Sequence, residues 1–371
     1  MKQKLTVFHP AIAPYRVELF NSLSEAFDAS FYFEFENALE QDFQQERLTK
    51  RLLFTPKYLR KGFLGIKNLR MDVLSILRKE KPDMVFCSEY NLMGFLLLIY
   101  KFLFDWKLQI YTICDDSPNI AVSTKGARQV MRSIFVRFYT GIILVNPAVV
   151  SWYQERFKNK KKFVYFPIVQ EDTYFREQLK ESLPMAQELL LKHELKEKKT
   201  ILFVGRLIEI KNLALLIEAF AKVSKQDCNA QLIFVGEGNK EEELKQQAFR
   251  LGISKQVNFV GKKEGTELYA WYNIGQIFVL PSYYEPFGAV VNEALLAGCY
   301  TLCSTAAGAS CLIEKGVNGD LFSPQNVEEL NQQLSRILQT IPPLNREIRN
   351  KESLMKECYQ TYFRNFINDI E

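Results

Sequence analysis

The chain has 371 residues, which at about 150 residues per domain predicts two domains. Hydrophobic residues make up 47% and charged residues 25%, which excludes a disordered chain, a collagen and a small disulfide scaffold. Seven cysteines without a CxxC pair and two histidines argue against a zinc site or a Ser-His-Asp hydrolase. The odd cysteine count favours a reducing compartment with free thiols.

Charge is distributed unevenly. Residues 1–175 contain 25 Lys and Arg against 18 Asp and Glu, a net charge of +7, and the remaining residues carry −2. Between residues 47 and 81 there are 11 basic residues and only two acids, with Phe43, Phe54, Tyr58 and Phe63 in or beside the stretch. Such a surface suits an anionic membrane or an acidic substrate, and an ordinary solvated surface is an equal alternative. No recognition motif supports nucleic acid, so we expect no nucleic-acid partner.

The first half alternates between strand and helix patterns. The predicted strands cover 4–8, 30–35, 84–87, 109–114, 141–145 and 162–166, and the helices 15–27, 71–79 and 125–139. The start of the chain shows no signal peptide and is interpreted as the first strand. The apolar run at 91–104 is about 14 residues long, too short to span a bilayer, and is interpreted as a buried helix. This alternation predicts a parallel sheet wrapped by helices.

A second series follows residues 170–198, which are polar and helix-prone and are interpreted as a linker and a leading helix. The predicted strands cover 200–204, 231–235, 257–260, 276–280 and 300–304, and the helices 213–222, 241–251, 266–273, 289–297 and 328–338. A turn is predicted at Asn318-Gly319, and the aromatic-rich tail over 345–370 is predicted to be helical.

We therefore predict an α/β protein with two doubly wound, Rossmann-like domains. The expected boundaries are 1–175 for the first domain, 176–345 for the second domain, and 346–371 for a terminal helix that packs back on the first domain. Ligands of such sheets bind beyond the carboxyl ends of the strands, so two facing sheets would form a cleft.

The turn after the strand at 200–204 combines Gly205 with two cations, Arg206 and Lys211. A helix begins near Asn212, and a helix N-terminus carries free N–H groups and a partial positive charge that suit phosphate. The planar fork of arginine and the mobile ammonium of lysine together suit a diphosphate. The alternative is two surface cations beside an ordinary turn.

The sequence PSYYEPFG places Glu285 after a strand, and Glu293 follows inside the next helix. An acid in the apolar stretch GAVVNEALLAG is unusual unless its carboxylate is hydrogen-bonded. Two carboxylates at different depths can accept bonds from separate hydroxyls of one elongated ligand, while the amides of Gly288 and Ala289 can meet an anion. The alternative is that Glu285 only favours the helix dipole and Glu293 is exposed.

These residues resemble a known family. Glu285 and Glu293 in EPFGAVVNEALLAG resemble the signature of retaining glycosyltransferases of family 4, which have the GT-B fold. VGRLIEIKN resembles the phosphate-binding turn of that family, and the resemblance is continuous over about 200–324. The opening HPAIAPYRVELF resembles a bacterial subset that assembles surface polysaccharides. The resemblance implies transfer from a UDP-sugar, or next a GDP-sugar, to a glycan or lipid-linked saccharide, with retention of anomeric configuration.

The resemblance also implies individual roles. Arg206 and Lys211 would contact the donor diphosphate, Glu285 the hydroxyls of the transferred sugar, and Glu293 the ribose hydroxyls. The loop at 287–289 would face sugar and phosphate, and the turn at 261–262 would receive the base. The implied donor-binding set is Gly205, Arg206, Lys211, Gly261, Lys262, Glu285, Phe287, Gly288, Ala289 and Glu293.

The first half departs from the family pattern, and many members carry a Gly-Gly loop where this chain has HPAIAPYR. His9, Tyr15 and Arg16 are therefore predicted on the acceptor side. His9 is a candidate general base or a structural loop residue, and Arg16 a phosphate or acceptor contact or an exposed helix residue. No histidine lies near Cys114, so Asp115 or Asp116 would serve the sugar or acceptor. The predicted catalytic set is Arg206, Lys211, Glu285, Asp115 and Asp116.

Gly236-Glu237-Gly238 follows a strand as in a dinucleotide-binding fingerprint. Glu241 takes the place of the third glycine and would oppose a pyrophosphate, so we expect no dinucleotide there.

The expected mechanism needs no cofactor and no divalent metal, since no Asp-x-Asp motif is recognisable in the donor half. We expect a front-face route, in which the leaving phosphate helps to deprotonate the acceptor. The expected location is the cytoplasm, with peripheral contact through residues 47–81 on the inner membrane face. Two alternatives remain open. A nucleotide-sugar epimerase of the same fold would form product from donor alone, and a catalytically silent nucleotide-sugar-binding module would show no turnover.

Overall fold

The computed structural model describes residues 2–37, 45–60, 62, 66, 69–158, 161–345 and 347–371. Two compact units divide the chain: unit 1 comprises Met1–Ile168 with Thr361–Glu371, and unit 2 comprises Val169–Gln360. Phe43 and Phe63 of the predicted basic and aromatic stretch lie outside the described residues.

Unit 1 is built on a parallel seven-stranded sheet in the order β3-β2-β1-β4-β5-β6-β7. Its strands are β1 Lys4–His9, β2 Asp28–Phe33, β3 Lys57–Tyr58, β4 Met84–Ser88, β5 Gln109–Cys114, β6 Gly141–Leu144 and β7 Lys162–Tyr165. Its helices are α1 Val17–Ala26, α2 Gln45–Thr49, α3 Asp72–Glu80, α4 Leu92–Leu103, α5 Pro118–Ser123, α6 Gly126–Phe138 and α7 Pro147–Phe157.

Unit 2 is built on a parallel six-stranded sheet in the order β10-β9-β8-β11-β12-β13. Its strands are β8 Lys199–Val204, β9 Ala230–Val235, β10 Val257–Phe259, β11 Ile277–Leu280, β12 Tyr300–Ser304 and β13 Gly319–Phe322. Its helices are α8 Asp172–Glu181, α9 Leu183–Lys192, α10 Leu213–Ser224, α11 Glu241–Arg250, α12 Thr266–Ile274, α13 Val290–Leu296 and α14 Val327–Thr340. The terminal helix, α15 Tyr359–Ile370, begins in unit 2 and continues into unit 1.

The strand order confirms the doubly wound class. In unit 1 the chain builds outward from β1 to one edge and then returns to build from β4 to the other. Unit 2 repeats the pattern, with β8 lying between β9 and β11. The strand order therefore reverses between β8 and β11, and ligands of open parallel sheets bind beyond the carboxyl ends of the strands at such a point.

Helices α2, α5 and α7 and strand β3 of unit 1 are absent from the sequence prediction, although α5 and α7 both carry start signals. The side chain of Ser117 accepts a hydrogen bond from the amide of Ile120, and that of Asn146 accepts one from the amide of Ala148. Proline follows each cap directly, which is the arrangement that favours the first turn of a helix.

Residues 170–198, predicted as a linker and a leading helix, form two packed helices, α8 and α9, so the helical part of the prediction is confirmed and the linker is wrong. Phe175 and Leu179 are buried, and the side-chain amide of Asn273 on α12 donates to Leu179 O at 2.7 Å. The turn expected at Asn318-Gly319 precedes a further strand, since β13 begins at Gly319.

The tail is helical only from Tyr359 onward. The described residues before it follow an irregular path, held by bonds such as Leu354 N to Leu295 O at 2.8 Å. Within unit 1, α15 packs its aromatic side on the sheet: Phe366 lies 5.1 Å from Phe166 and 6.1 Å from Phe86, between ring centroids. The chain end is held there because the hydroxyl of Tyr111 donates to Ile370 O at 3.2 Å.

Helix α4 differs from the prediction of a buried helix. Met93 and Leu97 on one side are buried in the core of unit 1. Ile99, Phe102 and Leu103 on the other side are exposed. Over the part of the chain that the structure describes, no helix is long and apolar enough to cross a membrane.

Candidate functional site

In unit 2 the turns that follow β8, β9 and β10 are packed backbone against backbone. The amide of Gly236 donates to Gly261 O at 2.9 Å, which joins the last two of these turns. A Cβ on Gly236 would lie 1.8 Å from Gly205 O, and one on Gly238 would lie 2.3 Å from Leu207 O. Only glycine permits this approach, so the Gly236-Glu237-Gly238 sequence is explained by packing at the carboxyl end of the sheet.

The turn after β8 is also tied to the loop after β11. Asn212 takes the left-handed conformation, φ 55°, directly before α10. Its side-chain amide donates to Pro281 O at 3.1 Å, and the amide of Tyr283 donates to Ile210 O at 2.9 Å. These bonds hold the two loops together at the point where the strand order reverses. The sequence indicated Asn212 only as a helix start, because its partner is 69 residues away.

This arrangement brings Lys211 onto Glu285. The ammonium of Lys211 pairs with the carboxylate of Glu285, and each side chain is only 14% exposed. The hydroxyl of Ser282 donates to the same carboxylate at 3.4 Å. The predicted diphosphate cation and the predicted sugar-binding acid are therefore direct neighbours. Arg206 lies on the same turn but is exposed.

The loop that carries Glu285 is braced by the segment after β12. The amide of Gly308 donates to Glu285 O at 3.2 Å, and that of Ala309 donates to Phe287 O at 2.7 Å. A Cβ on Gly308 would lie 2.1 Å from Pro286 O, so glycine is required here. The side chain of Phe287 is buried, so it fixes this loop and does not itself offer a contact surface.

Glu293, on α13, is held by protein donors. The hydroxyl of Tyr272 donates to Glu293 Oε2 at 2.7 Å, and the side-chain amide of Gln170 donates to Oε1 at 3.4 Å. Burial, and then the charge of Glu293, raise the pKa of Tyr272, so its phenol stays protonated and remains a donor. These bonds explain how an acid is tolerated in an apolar helix. The sequence did not indicate Tyr272 or Gln170, because nothing local marks them as partners.

The remaining donor-side residues lie at the same end of the sheet in unit 2. Gly261 has φ 76° in the turn after β10, and Lys262 beside it pairs with Glu264 at 2.9 Å. Gly288 and Ala289 precede α13, whose first turn leaves amides that need acceptors outside the helix.

Unit 1 gathers its predicted residues at the carboxyl ends of β1 and β5. Arg16 is 1% exposed, and its guanidinium pairs with the carboxylate of Asp115. The alternative that Arg16 is an exposed helix residue is therefore wrong. The ring of Tyr15 lies 5.9 Å from the same guanidinium, measured to the ring centroid.

The structure distinguishes Asp115 from Asp116. The Asp116 side chain is 2% exposed and pairs with Arg132 at 2.8 Å. The guanidinium of Arg132 also lies over the rings of Trp152 and Tyr153, at 5.4 and 5.6 Å. Asp115, in contrast, is 31% exposed at its side chain. The geometry of unit 1 thus favours Asp115 as the acid that could meet a ligand.

Glu89 is a further acid of unit 1 that is not among the residues predicted from the sequence. It follows β4 in the left-handed conformation, φ 52°, and its carboxylate lies 3.4 Å from Arg128. Partial loss of solvent contact raises the pKa of Glu89; the cation of Arg128 opposes this rise, and the charges of Asp115 and Asp116 add to it. Its position directly after a strand was the available signal.

His9 is buried and its Nδ1 lies 2.9 Å from Ala11 O. Burial, and then the nearby Arg16 cation, lower the pKa of His9 to about 4. The ring is therefore neutral near pH 7, which is compatible with either a base or a structural loop residue.

We expect His9 to make the folded state sensitive to acid. An unfolded histidine titrates near pH 6.5, so between 6.5 and about 4 the unfolded chain binds this proton first. The contribution of His9 to the free energy of unfolding is therefore complete above pH 6.5. It decreases as the pH falls, by at most about 1.4 kcal/mol per pH unit. In urea unfolding between pH 7 and 4.5, His9→Gln should lose less stability than the wild type. Parallel profiles for the two proteins would contradict the lowered pKa.

The family model that this chain matches and two of its relatives are described as glycosyltransferases. Residues 187–353 match the family model described as glycosyl transferases group 1. An uncharacterized glycosyltransferase of Methanocaldococcus jannaschii is 35% identical over 142 residues, which cover 38% of this chain and 36% of that protein. One from Haemophilus influenzae is 32% identical over 196 residues, covering 51% and 55%. The chain thus spans about half or less of the curated relatives it matches.

Solved structures are similar over nearly the whole chain. The crystal structure of Anabaena HepE in complex with UDP-glucose has a TM-score of 0.71 at 17% identity and covers 99% of this chain and 97% of that one. The lipopolysaccharide outer core galactosyltransferase WaaB, in its apo form, has a TM-score of 0.68 at 16% identity, with 99% of each chain covered. At this identity the similarity shows the fold. Residues 187–353 thus match the glycosyl transferases group 1 family, consistent with a family 4-like glycosyltransferase, and the chain has the GT-B fold.

Proposed function

We propose that this protein transfers a hexose from a UDP-sugar, or less favourably a GDP-sugar, to a glycan or lipid-linked saccharide, with retention of anomeric configuration. The observation that carries the proposal is the Lys211–Glu285 pair, positioned where the strand order of unit 2 reverses. A cation and an acid in contact at this point suit a ligand that carries phosphate next to sugar hydroxyls.

The leaving group sets the main chemical demand. When the bond between the anomeric carbon and the diphosphate breaks, negative charge develops on the departing oxygen. In our proposal Lys211, held in place by Glu285, stabilises that charge with a fixed cation, and Arg206 adds a second from the surface. These two cations supply the positive charge that stabilises the leaving group, a role that a divalent metal can also fill. We therefore propose that transfer needs no metal and no cofactor.

Glu293 supports the nucleotide part of the proposal. The hydroxyl of Tyr272 and the side-chain amide of Gln170 hold its carboxylate in place. Carboxylate oxygens accept hydrogen bonds from hydroxyls, so we propose that Glu293 binds those of a ribose. The preference for uridine follows HepE, whose structure was solved with UDP-glucose.

For the acceptor we propose Asp115, with Arg16 and Tyr15 beside it. Asp115 is partly exposed and Asp116 is fully engaged by Arg132, so the first is the better candidate to bind an acceptor hydroxyl. The leaving phosphate would then take the acceptor proton on the same face of the sugar. The proposed role is cell-surface polysaccharide assembly on the cytoplasmic face of the membrane.

Thermal shift with UDP, GDP, ADP and CMP, each with excess EDTA, tests the donor class first. A ligand at 100 times its dissociation constant stabilises by about 2.7 kcal/mol. In a protein of this size that stabilisation raises Tm by several degrees at most. Selective stabilisation by UDP or GDP, followed by EDTA-resistant transfer to an acceptor, is the expected result. Turnover of donor without acceptor would indicate an epimerase, and binding without any turnover a silent module. Loss of transfer in EDTA would contradict the metal-free mechanism.

A further inference from the structure

One side of α4 and the turn after it form an exposed apolar surface. We define the aromatic ridge as Ile99, Phe102, Leu103, Phe104 and Trp106. Their exposed fractions are 46, 57, 70, 53 and 77%. On α6, Phe138 extends the ridge, because its ring meets that of Phe102 edge to face at 5.4 Å.

The sequence of α4 explains why the ridge exists. The helix, LMGFLLLIYKFL, is apolar on all sides, and only one of these sides packs in the core of unit 1. Helices with this pattern are buried in protein or in lipid. With 12 residues, α4 is too short to cross a bilayer, which takes about 20. A helix that is half-covered by protein can lie along the membrane surface with its other side in the acyl boundary.

Cations surround the ridge. The guanidinium of Arg78 lies 4.5 Å from the ring centroid of Phe104, and that of Arg137 lies 5.9 Å from that of Phe138. Residues 92–107 and 125–138 together contain six basic residues and one acid, Asp105. Of the six, Arg132 is buried against Asp116 and Arg128 pairs with Glu89, so Lys107 and Arg137, together with Arg78, are the cations considered at the ridge. The carboxylate of Asp105 accepts the amide of Lys107 at 3.1 Å within the turn. Positive charge around exposed aromatic rings complements an anionic lipid headgroup layer.

We propose that the aromatic ridge is a membrane-docking surface that inserts shallowly into an anionic lipid bilayer. Trp106 and Phe102 would enter the boundary between headgroups and acyl chains, while Arg78, Lys107 and Arg137 meet lipid phosphates. The inference specifies the surface for the membrane location of the proposed function and does not rest on its chemistry, since lipid binding is measured without donor or acceptor.

The ridge fits this role better than the 47–81 stretch, although Arg78 of that stretch lies beside the ridge. Several cations there already have protein partners: Arg51 pairs with Glu18, and the guanidinium of Arg70 donates to Glu34 O at 3.1 Å. Phe54 is stacked on Phe31 with 3.8 Å between ring centroids.

Vesicle sedimentation of the full chain tests the proposal. Wild type should bind vesicles of phosphatidylglycerol with phosphatidylcholine, with a blue shift of tryptophan emission, and should bind phosphatidylcholine alone much more weakly. The double variant Leu103→Ser with Trp106→Ser should lower the partition coefficient at least about tenfold. Phe249→Ser is the matched control, because Phe249 is 78% exposed but lies on α11 of unit 2. Both changes are at exposed positions, and circular dichroism melts verify folding.

Charge variants separate the two surfaces. Arg78→Gln with Arg137→Gln should weaken binding at low salt, whereas Lys50→Gln with Arg60→Gln, on other elements of unit 1, should not. If the variant with Lys50→Gln and Arg60→Gln loses vesicle binding while the variant with Leu103→Ser and Trp106→Ser retains it, the assignment to the ridge is overturned. If wild type ignores anionic vesicles but self-associates in ultracentrifugation, and the ridge variant is monomeric, the ridge is a protein interface and the proposal fails.

Discussion

Lys211→Ala is expected to lower kcat for sugar transfer by about 10²–10³-fold, with a smaller change in KM. The ammonium is fixed against Glu285 in a site where both side chains are 86% shielded from solvent, since each is 14% exposed. A fixed cation in a partly dehydrated site acts most strongly on charge that develops in the transition state. Arg206→Ala should have a smaller effect, because Arg206 is exposed and water screens its charge.

Steady-state kinetics with saturating donor and acceptor measures this effect. Lys245→Ala is the control: Lys245 is 42% exposed on α11, pairs with Glu241 and Glu242, and is not a predicted site residue. Its kcat should equal that of the wild type. An unchanged kcat in Lys211→Ala would remove this lysine from the mechanism.

Combining Lys211→Ala with Glu285→Gln distinguishes a direct catalytic role of Lys211 from a role in holding Glu285 in place. If Lys211 only held Glu285 in place, Lys211→Ala would cause no further loss in an enzyme that already carries Glu285→Gln. Our proposal expects a further loss of kcat in the double variant, because the cation acts directly on the leaving group. The cycle of four proteins gives the coupling between the two side chains.

Glu293→Gln is expected to weaken UDP binding by about 10- to 100-fold, because hydrogen bonds to a charged group contribute about 1.5–3 kcal/mol. The amide keeps the size of the side chain and loses the charge and one acceptor. Tyr272→Phe should weaken binding less, since it removes one donor to Glu293 and leaves the carboxylate present. Isothermal titration of UDP into each protein gives the dissociation constants.

Tyr300 provides a matched control for Tyr272. Its hydroxyl donates to Asp320 Oδ2 at 2.7 Å, the same distance as the bond between Tyr272 and Glu293. Tyr300→Phe therefore removes an equivalent phenol–carboxylate bond in unit 2 without touching a predicted donor residue. Its UDP affinity should match that of the wild type. Wild-type affinity in Glu293→Gln as well would make the ribose assignment wrong.

Local pattern was sufficient for the architecture of both units. Apolar strands alternating with amphipathic helices predict parallel sheets, and the two sheets confirm this. The motifs around Gly205 and Glu285 were also recognisable, because close loops and charged residues at strand ends leave a local trace in the sequence. Helix α2 and strands β3 and β13 were missed, and helices α5 and α7 were missed despite visible capping signals.

The contacts that build the site were decided by tertiary structure. Lys211 and Glu285 are 74 residues apart, and Tyr272 and Glu293 are 21 apart. No local pattern records which side chain receives a hydrogen bond from a neighbouring strand or helix. The difference between Asp115 and Asp116 has the same origin, since burial of Arg132 on α6 decides which acid is paired.

The exposure of α4 shows that local sequence also does not determine which apolar side chains the fold covers. Its sequence determined that the helix is hydrophobic all round, and this alone predicted burial. The tertiary structure decided that protein covers only one of its sides, because the sheet of unit 1 can pack against one face of a helix at a time. The sequence therefore determined the layers and the charged motifs, and the packing of distant elements decided which groups meet and which remain exposed.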